Sequence, residues 1–469
     1  MHIKHKDLVI DKDDPFKNCM LDRKKYALAL TEIVKQYSDG FVLAINNEWG
    51  TGKTTFVKMW QQQLKAFGFH TIYFNAWEND LNKDPLVAII SELKTLIDPT
   101  STDGFQKLVE KGAALIKNVA PALLKAATKK YLGDVTGEVV ENTAKTAVEF
   151  LEEEIKQFSV KKKSIVEFKT RLEAFVFALK GPKPLIFIVD ELDRCQPFYA
   201  IEVLEKMKHF FSVPGIVFTL SIDKKHLASS VKGFYGSEQI NTDEYLRRFI
   251  DLEYSIPPPE NEIFCRYLFD YFSFNEFFKS ADRSVYDEFR NDSQTLLMMI
   301  ELLFGKYKPT LRQQEKIIGR TRLIIKLFDH RQYVFAHLLF FLIFIKEINN
   351  VLYEQIRKKN LTVQELSNAF FDIIDSNSFS PFGINLLYVE ALLLQFYNNC
   401  FDYGRRETLL KYNDDGKSVA TIESKLEAVA KYSSLQSCLD SIQTNMTYSN
   451  IELSYLLNKI DLYEFSEIA

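Results

Sequence analysis

Residues 46–55 carry the residue types that bind phosphate, and they read N-N-E-W-G-T-G-K-T-T. Gly50 and Gly52 let the backbone approach an anion closely and adopt a positive φ. Lys53 supplies a cation that can reach the outer phosphates of a polyphosphate, and Thr54 supplies a hydroxyl for Mg²⁺. This spacing predicts a phosphate-binding P-loop at a helix N-terminus, where free N–H groups and the helix dipole attract anions.

One position departs from the common P-loop pattern, because Asn47 stands where the first glycine is usual. Asparagine tolerates the left-handed conformation better than most residues with a side chain. We therefore expect the turn to be preserved with Asn47 in that conformation. The alternative is an ordinary strand-turn-helix that contains Gly-Lys-Thr by chance.

A second group of polar residues follows two later apolar runs. Asp190 comes directly after residues 185–189 and occupies the Walker B position, where a carboxylate can hold Mg²⁺. Glu191, the next residue, is placed to polarise an attacking water. Ser221 and Asp223 end another apolar run and are candidates to sense the outermost phosphate. Together with the P-loop, these acids indicate a nucleoside-triphosphate hydrolase.

Three arginines are further candidates for the site. Arg194 either neutralises charge at the nucleotide of a neighbouring subunit or forms a structural ion pair with Asp193. Arg248 and Arg312 could each reach the nucleotide from the edge or the lid of the site. The alternative for both is a solvated or ion-paired arginine.

The elements that must position these residues are predicted from apolar runs. Five strands are expected, at residues 41–45, 70–77, 185–189, 215–223 and 249–256. Continuous apolar runs are typical of parallel strands that helices cover on both faces. Helical spacing of apolar residues between them predicts an α/β fold, a P-loop NTPase with a doubly wound, mainly parallel sheet.

Composition shifts divide the chain into four segments. Residues 1–99 and 166–259 form the two parts of the NTPase core, and three consecutive prolines end the second part. Residues 100–165, rich in Ala, Lys and Glu, predict a helical insertion. This insertion either packs on the core as a helical hairpin or offers an amphipathic face to a membrane surface or a partner helix. Residues 260–469 predict an all-helical C-terminal domain.

Bulk properties exclude several classes of protein. The 59 basic and 63 acidic residues leave a net charge of −4, so no global basic field indicates nucleic acid, although local contacts stay open. Five scattered cysteines and the absence of an N-terminal apolar segment predict a reducing, cytoplasmic location. The longest apolar run, residues 334–345, is shorter than the roughly 20 residues that span a bilayer, so we expect a buried helix.

Five segments in order resemble the KAP family of P-loop NTPases. They are L-D-R-K-K-Y-A-L-A-L, E-W-G-T-G-K-T-T, F-N-A-W-E-N-D, I-F-I-V-D-E-L-D-R-C and Y-L-R-R-F-I-D-L-E-Y-S-I-P-P. The match runs from about residue 11 to residue 260 and continues weakly near Arg312. The resemblance implies an additional-strand P-loop ATPase that is close to the STAND signalling ATPases.

The resemblance and the motifs together predict a site for ATP and Mg²⁺. The nucleotide-binding residues are predicted to be Asn47, Glu48, Trp49, Gly50, Thr51, Gly52, Lys53, Thr54, Thr55 and Arg312. The catalytic residues are predicted to be Lys53, Glu191, Arg194 and Arg248. The Mg²⁺ ligands are predicted to be Thr54 and Asp190. Arg248 matches a basic residue that is usual in the Y-L-x-K segment of the family.

The function expected from the resemblance is a nucleotide-driven conformational switch or assembly platform with ATPase activity. Relatives commonly self-associate, so a homo-oligomer is expected, together with a protein partner or effector encoded by another chain. Many members carry transmembrane helices between the two Walker motifs, whereas residues 100–165 are charged, so none is expected here. Bacterial relatives often belong to phage-exclusion systems, which makes anti-phage defence an expectation. The alternatives are a non-hydrolysing ATP-binding scaffold and a P-loop kinase for a small molecule.

Overall fold

The computed structural model describes most of the chain. The described residues are 9–37, 40–81, 84–96, 104–114, 144–179, 183–209, 212–374, 386–414, 417–428 and 434–461, with the backbone alone for 144–158 and 161. The chain divides into two compact units, residues 2–258 and residues 259–469. We refer to them as the sheet unit and the helical unit.

The sheet unit alternates strands with helices. Its elements are α1 (Lys24–Gln36), β1 (Phe41–Asn46), α2 (Lys53–Ala66), β2 (Thr71–Asn75), α3 (Pro85–Leu93), a 3₁₀ turn (Lys94–Leu96), α4 (104–114), α5 (Ala144–Ala178), β3 (Leu185–Asp190), a 3₁₀ turn (Leu192–Arg194), α6 (Pro197–Met207), β4 (Ile216–Ile222), α7 (Lys224–Tyr235), α8 (Thr242–Leu246) and β5 (Leu252–Tyr254). This alternation produces parallel strands joined by helical crossovers.

The five strands form one parallel sheet in the order β2-β3-β4-β1-β5. β4 lies between β1 and β3, so one strand separates the strand that enters the P-loop from the strand that ends in Asp190. This is the additional strand that the family resemblance implies. The predicted α/β fold is confirmed.

Helices cover both faces of the sheet. β3 and β4 are buried along their whole length, which explains their continuous apolar sequences. Because successive side chains point to opposite faces, Ile186 and Ile188 join a core with α1 and α2, whereas Phe187 and Val189 join a core with α3, α5, α6 and α7. The sheet is therefore doubly wound, as predicted.

Two predicted boundaries differ from the structure. The strand expected at residues 249–256 is only three residues long, because β5 is an edge strand that pairs with β1 alone. The predicted end of the insertion at residue 165 falls inside α5, whose later turns place Phe168 and Leu172 in the core of the sheet unit. Residues 115–143 of the predicted insertion lie outside the described residues.

The helical unit contains two short strands among its helices. Its elements are α9 (Asn261–Tyr271), α10 (Phe274–Phe278), α11 (Ala281–Ser284), a 3₁₀ turn (Asp287–Phe289), α12 (Asp292–Tyr307), α13 (Leu311–Ile325), α14 (Ala336–Ile348), α15 (Asn350–Arg357), α16 (Val363–Ile374), α17 (Leu386–Asn399), a 3₁₀ turn (Tyr403–Arg405), β6 (Leu410–Tyr412), β7 (Ser418–Ala420), a 3₁₀ turn (Lys425–Ala428), α18 (Leu435–Thr444) and α19 (Ser454–Asp461). β6 and β7 form an antiparallel hairpin, which the sequence analysis did not predict.

The most apolar helix among the described residues is buried within the helical unit. α14 contains residues 336–345 of the run that we expected to be a buried helix, and its residues from Leu338 to Ile345 are all buried. That prediction is confirmed. Within the described residues, every helix is either too short or too polar to cross a bilayer.

Candidate functional site

The P-loop and the acidic pair lie at the same edge of the sheet. Strand register aligns Asp190 with Ser221 across β3 and β4, and Asn46 with Ile222 across β1 and β4. The carboxyl ends of these parallel strands therefore meet, which is where ligands bind in open α/β sheets. The residues after β1 and the residues after β3 consequently face a common space.

Two glycines shape the loop between β1 and α2. Gly50 and Gly52 adopt φ values of 82° and 81°, the left-handed region that glycine enters without strain. α2 then begins at Lys53, so Thr54 and Thr55 lie in its first turn. The backbone N–H groups of a first turn have no acceptor within the helix, and they are available to phosphate oxygens.

The Lys53 side chain arches back over the loop. Its ammonium donates hydrogen bonds to the carbonyl oxygens of Asn47 at 2.5 Å and Glu48 at 3.2 Å. An ammonium has three N–H donors, so one remains for a phosphate oxygen. Burial lowers the pKa of Lys53, and three nearby aspartates, chiefly Asp193, oppose that shift. The two carbonyl contacts therefore hold the Lys53 side chain above the loop.

Asn47 does not adopt the left-handed conformation that we expected. The positive φ values of the loop occur at Gly50 and Gly52 and not at Asn47. Instead, the Asn47 amide donates to the Ile256 carbonyl and accepts from the Ile256 N–H, both at 2.9 Å. The side chain thus reproduces the paired hydrogen bonds of a strand ladder. That pairing connects the start of the loop to the segment after β5.

Trp49 connects the loop to the neighbouring strand ends. Its indole N–H donates to the buried Asp193 carboxylate, and its backbone N–H donates to Asp223 at 3.1 Å. The indole stacks on the His226 ring, with 3.6 Å between centroids and 6° between planes. Burial raises the pKa of Asp193, and the bond from Trp49 opposes that rise. The Trp49 side chain is therefore engaged within the protein.

Glu48 and Thr51 occupy the exposed turn of the loop. The Glu48 carboxylate forms an exposed ion pair with Lys225 at 2.8 Å. The Thr51 hydroxyl donates to the Glu48 carbonyl at 2.8 Å and closes the turn. Both side chains thus stabilise the shape of the loop in this structure, and their predicted contact with nucleotide stays a prediction.

Asp190 is a buried carboxylate at the end of β3, with 1% of its surface exposed. The Tyr73 hydroxyl donates to one of its oxygens at 2.9 Å, and the Glu191 N–H donates to the other at 3.0 Å. Among the described residues no lysine or arginine pairs with Asp190. A buried carboxylate without a cationic partner is costly in a folded protein, and it suits a bound cation.

Glu191 adopts φ 60° and ψ 23°, a left-handed conformation that is uncommon for a residue with a side chain. This turn directs its carboxylate to Arg194, at 2.8 Å, and to the Asn75 amide, at 3.4 Å. Burial raises the pKa of Glu191, and Arg194 opposes the rise. Strained residues of this kind concentrate at functional sites.

Arg194 pairs with Glu191 and not with Asp193, so the predicted Asp-Arg pair is wrong. The reason is geometric: the 3₁₀ turn Leu192–Arg194 brings residues three apart onto one side, and the carboxylate of Asp193 is already bound by Trp49. The Arg194 guanidinium also lies over the Trp77 ring, 5.6 Å from its centroid.

The remaining predicted residues take no part in the contacts given above. Arg248 is exposed after α8, and within the described residues its side chain forms no ion pair. Arg312 belongs to the helical unit, as the second residue of α13. The Ser221 hydroxyl is buried and finds no hydrogen-bond partner among the described residues. Roles for these three residues in nucleotide contact stay predictions.

Several residues of the site were missed by sequence reasoning. They are Arg23, whose guanidinium binds the loop, Tyr73 and Asn75, which bind the two acids, and His226, which stacks on Trp49. Arg23 and Asn75 stand within two of the segments that carry the family resemblance. That resemblance was the available signal, although it gave no role for either residue.

Comparisons with known proteins agree with this geometry. Residues 23–369 match the model of the KAP family P-loop domain. The chain is also 23% identical over 235 residues to the phage T7 exclusion protein of Escherichia coli (strain K12). That match covers 47% of this chain and 30% of that protein, so the chain spans under a third of the length of the curated relative it matches.

A solved structure of the Aeropyrum pernix ORC2 protein, in ADPNP and ADP complexes, aligns over 95% of each chain. Its TM-score of 0.30 and its 11% identity are too low to support an argument. The family match is different in kind, because it extends over well more than half of the sequence and includes every strand of the sheet. The chain belongs to the KAP family of P-loop domains, a family of nucleotide-binding proteins.

Proposed function

We propose that the chain is a Mg²⁺-dependent ATPase that acts as a nucleotide-driven conformational switch or assembly platform in bacterial anti-phage defence. The observation that carries this proposal is the meeting of the P-loop and the Asp190–Glu191 pair at one edge of the sheet. A triphosphate held by the loop would present its outermost phosphate to that pair. Positioning and charge stabilisation account for most of phosphoryl-transfer catalysis.

The chain supplies the groups that such a phosphate requires. N–H groups of the first turn of α2 and the remaining donor of Lys53 face the anion. Asp190 and the half-buried hydroxyl of Thr54 fit a Mg²⁺ site, because Mg²⁺ typically takes one or two protein oxygens together with phosphates and waters. Bound there, the ion would neutralise negative charge on the phosphates.

Glu191 is the base that we assign to the attacking water. Its carboxylate is held by Asn75 and Arg194, so its direction is fixed before substrate arrives. The raised pKa that burial gives it strengthens it as a proton acceptor. Proton transfer from the water to Glu191 would accompany attack of the water oxygen on the outermost phosphorus. The bond from that phosphorus to the oxygen it shares with the middle phosphate would break, which gives ADP and inorganic phosphate.

A switch requires that the nucleotide site be connected to the rest of the chain. Asn47 supplies a connection, since it binds Ile256, which is followed by three prolines at the boundary where the helical unit begins. The name of the phage T7 exclusion protein supports the defence role. Self-association and an effector chain stay predictions.

The test is ATP turnover by a Lys53→Ala variant. Loss of the cation above the loop should lower the rate of phosphate release by about 10²- to 10³-fold. Lys65→Ala, at the other end of α2, is the matched control and should keep the wild-type rate. Release of free phosphate without an added acceptor separates an ATPase from a kinase. Wild-type turnover by Lys53→Ala would reject the proposal.

A further inference from the structure

Of the arginines that the structure describes, three are almost fully buried, and they differ in what balances their charge. Arg283, in the helical unit, binds the Asp292 carboxylate and the carbonyls of His330 and Gln332. Arg322, also in that unit, donates to the Phe272 carbonyl and pairs with Glu276 at 3.5 Å. Each therefore has a carboxylate partner.

Arg23, in the sheet unit, has no carboxylate partner among the described residues. It is 4% exposed, and its guanidinium donates to the carbonyls of Thr51 at 2.8 Å and Gly52 at 3.2 Å. Its Nε–H is buried and finds no acceptor among the described residues. The nearest acids in sequence are already engaged, because Asp22 pairs with Lys25 and Asp14 pairs with Lys24. Within the part of the chain that the structure describes, the charge of Arg23 is thus uncompensated.

Packing holds Arg23 in this position. It precedes α1, whose Ala27, Leu30 and Val34 join the core formed with α2. A hydrogen bond of 3.0 Å from the Trp60 indole to the Thr31 hydroxyl joins the two helices directly. The guanidinium therefore cannot turn to solvent without disturbing this core, and burial lowers its pKa.

The contacts of Arg23 also fix the direction of the loop. In a planar trans peptide the carbonyl of one residue and the N–H of the next point in opposite directions. By holding the Thr51 and Gly52 carbonyls on its own side, Arg23 directs the N–H groups of Gly52 and Lys53 to the other side. Those N–H groups belong to the part of the loop that we assign to phosphate.

We propose that Arg23 is a positioning residue of the P-loop whose buried positive charge is balanced when an anionic triphosphate occupies the loop. This inference rests on the proposed nucleotide binding. It predicts that removal of the charge affects the free protein and the complex in opposite directions. A buried cation without a partner destabilises the free protein, whereas the same cation stabilises the bound anion.

The experiment compares Arg23→Met with Arg283→Met in the full chain by thermal unfolding and by titration with ATP and with tripolyphosphate. Arg23→Met should keep or raise the melting temperature of the free protein and weaken binding of both probes about tenfold. Arg283→Met leaves Asp292 buried without its cation, so it should lower the melting temperature and leave both affinities unchanged.

The outcomes separate the inference from the proposed function. If the wild type binds both probes and Arg23→Met binds them equally well, the inference is wrong and nucleotide binding stands. If the wild type binds neither probe, both fail. Should Arg23→Met both melt earlier and bind weakly, Arg23→Lys decides: recovered affinity supports a role for the charge, and unrecovered affinity overturns it.

Discussion

Buried acidic groups are arranged in opposite ways in the two units. In the sheet unit, Asp190, Glu191, Asp193 and Asp223 gather at one edge, where donors from separate segments of the chain hold them. In the helical unit, Glu390 is fully buried, and within the described residues the hydroxyls of Ser367 and Ser424 each donate to one of its two oxygens. The first arrangement concentrates charge where a cation and phosphates can join it. The second arrangement is complete within the protein.

The largest effect that we expect is the loss of ATP turnover in Glu191→Gln, which changes one acid of the sheet unit. The amide has nearly the same size and shape as the carboxylate but cannot act as the base. Phosphate release should therefore fall by about 10²- to 10⁴-fold. ATP binding should persist, because Glu191 is not among the residues assigned to the phosphates. The measurement is steady-state phosphate release together with a binding titration.

Glu390→Gln is the control for that variant, since it makes the same chemical change in the other unit. Turnover should remain at the wild-type rate. Equal turnover by Glu191→Gln and the wild type would instead favour a non-hydrolysing scaffold. An equal loss in both variants would show that neither acid has a specific catalytic role.

Glu390→Gln should itself alter how stability depends on pH. Burial raises the pKa of Glu390 from 4.5 to about 7, while the bonds from Ser367 and Ser424 oppose the shift. The folded state therefore keeps the proton to higher pH than the unfolded state. Wild-type stability should fall as pH rises from about 4.5 to about 7, by about 3 kcal/mol in total.

The variant lacks this titration, so its unfolding free energy should match the wild type near pH 4.5 and exceed it at pH 8. Denaturant unfolding of both proteins across this range measures the difference. Parallel pH profiles for the two proteins would contradict the prediction and would place the Glu390 carboxyl in contact with a charge that compensates it.

Trp49→Phe should have a smaller effect on turnover than Glu191→Gln and a smaller effect on stability than Glu390→Gln. The phenyl ring can still stack on His226, but the buried Asp193 carboxylate loses its indole donor, at a cost of about 1–2 kcal/mol in stability. Turnover should fall several-fold, because Trp49 connects the loop to the ends of β3 and β4. Thermal unfolding and phosphate release are the measurements.

Trp60→Phe is the matched control for Trp49→Phe. It also removes an indole N–H, the one that donates to the Thr31 hydroxyl, and it disturbs the core between α1 and α2. It should lower stability at least as much and leave turnover per folded molecule unchanged. A similar loss of turnover in both variants would mean that Trp49 acts only through stability.

Some features of the fold were predictable because they depend on local sequence. Strands β1, β3 and β4 lie within one or two residues of their predicted bounds, since each is a continuous apolar run covered on both faces. The β6–β7 hairpin was not predicted. Its strands are only three residues long, with no fully buried position, and they are too short to show an alternation of polar and apolar residues.

The positions of the candidate site residues could likewise be read from local sequence. Lys53 lies in a P-loop motif, and Asp190 and Glu191 directly follow an apolar run, so a short stretch of sequence is enough to single out each of them. The contacts that orient these groups were not predictable, because they join distant segments. Asn75 and Glu191, for example, are separated by 116 positions, and only the pairing of β2 with β3 brings them together.

The asparagine at position 47 shows why a mismatch to a motif need not mark a weakened site. Its side-chain amide forms two hydrogen bonds with the Ile256 backbone, and glycine has no side chain to form them. Replacing Asn47 with the consensus glycine would therefore remove the two hydrogen bonds that join the start of the loop to the end of the sheet unit. On the proposed function, an Asn47→Gly variant would still bind its nucleotide, but binding would be less well coupled to the rest of the chain.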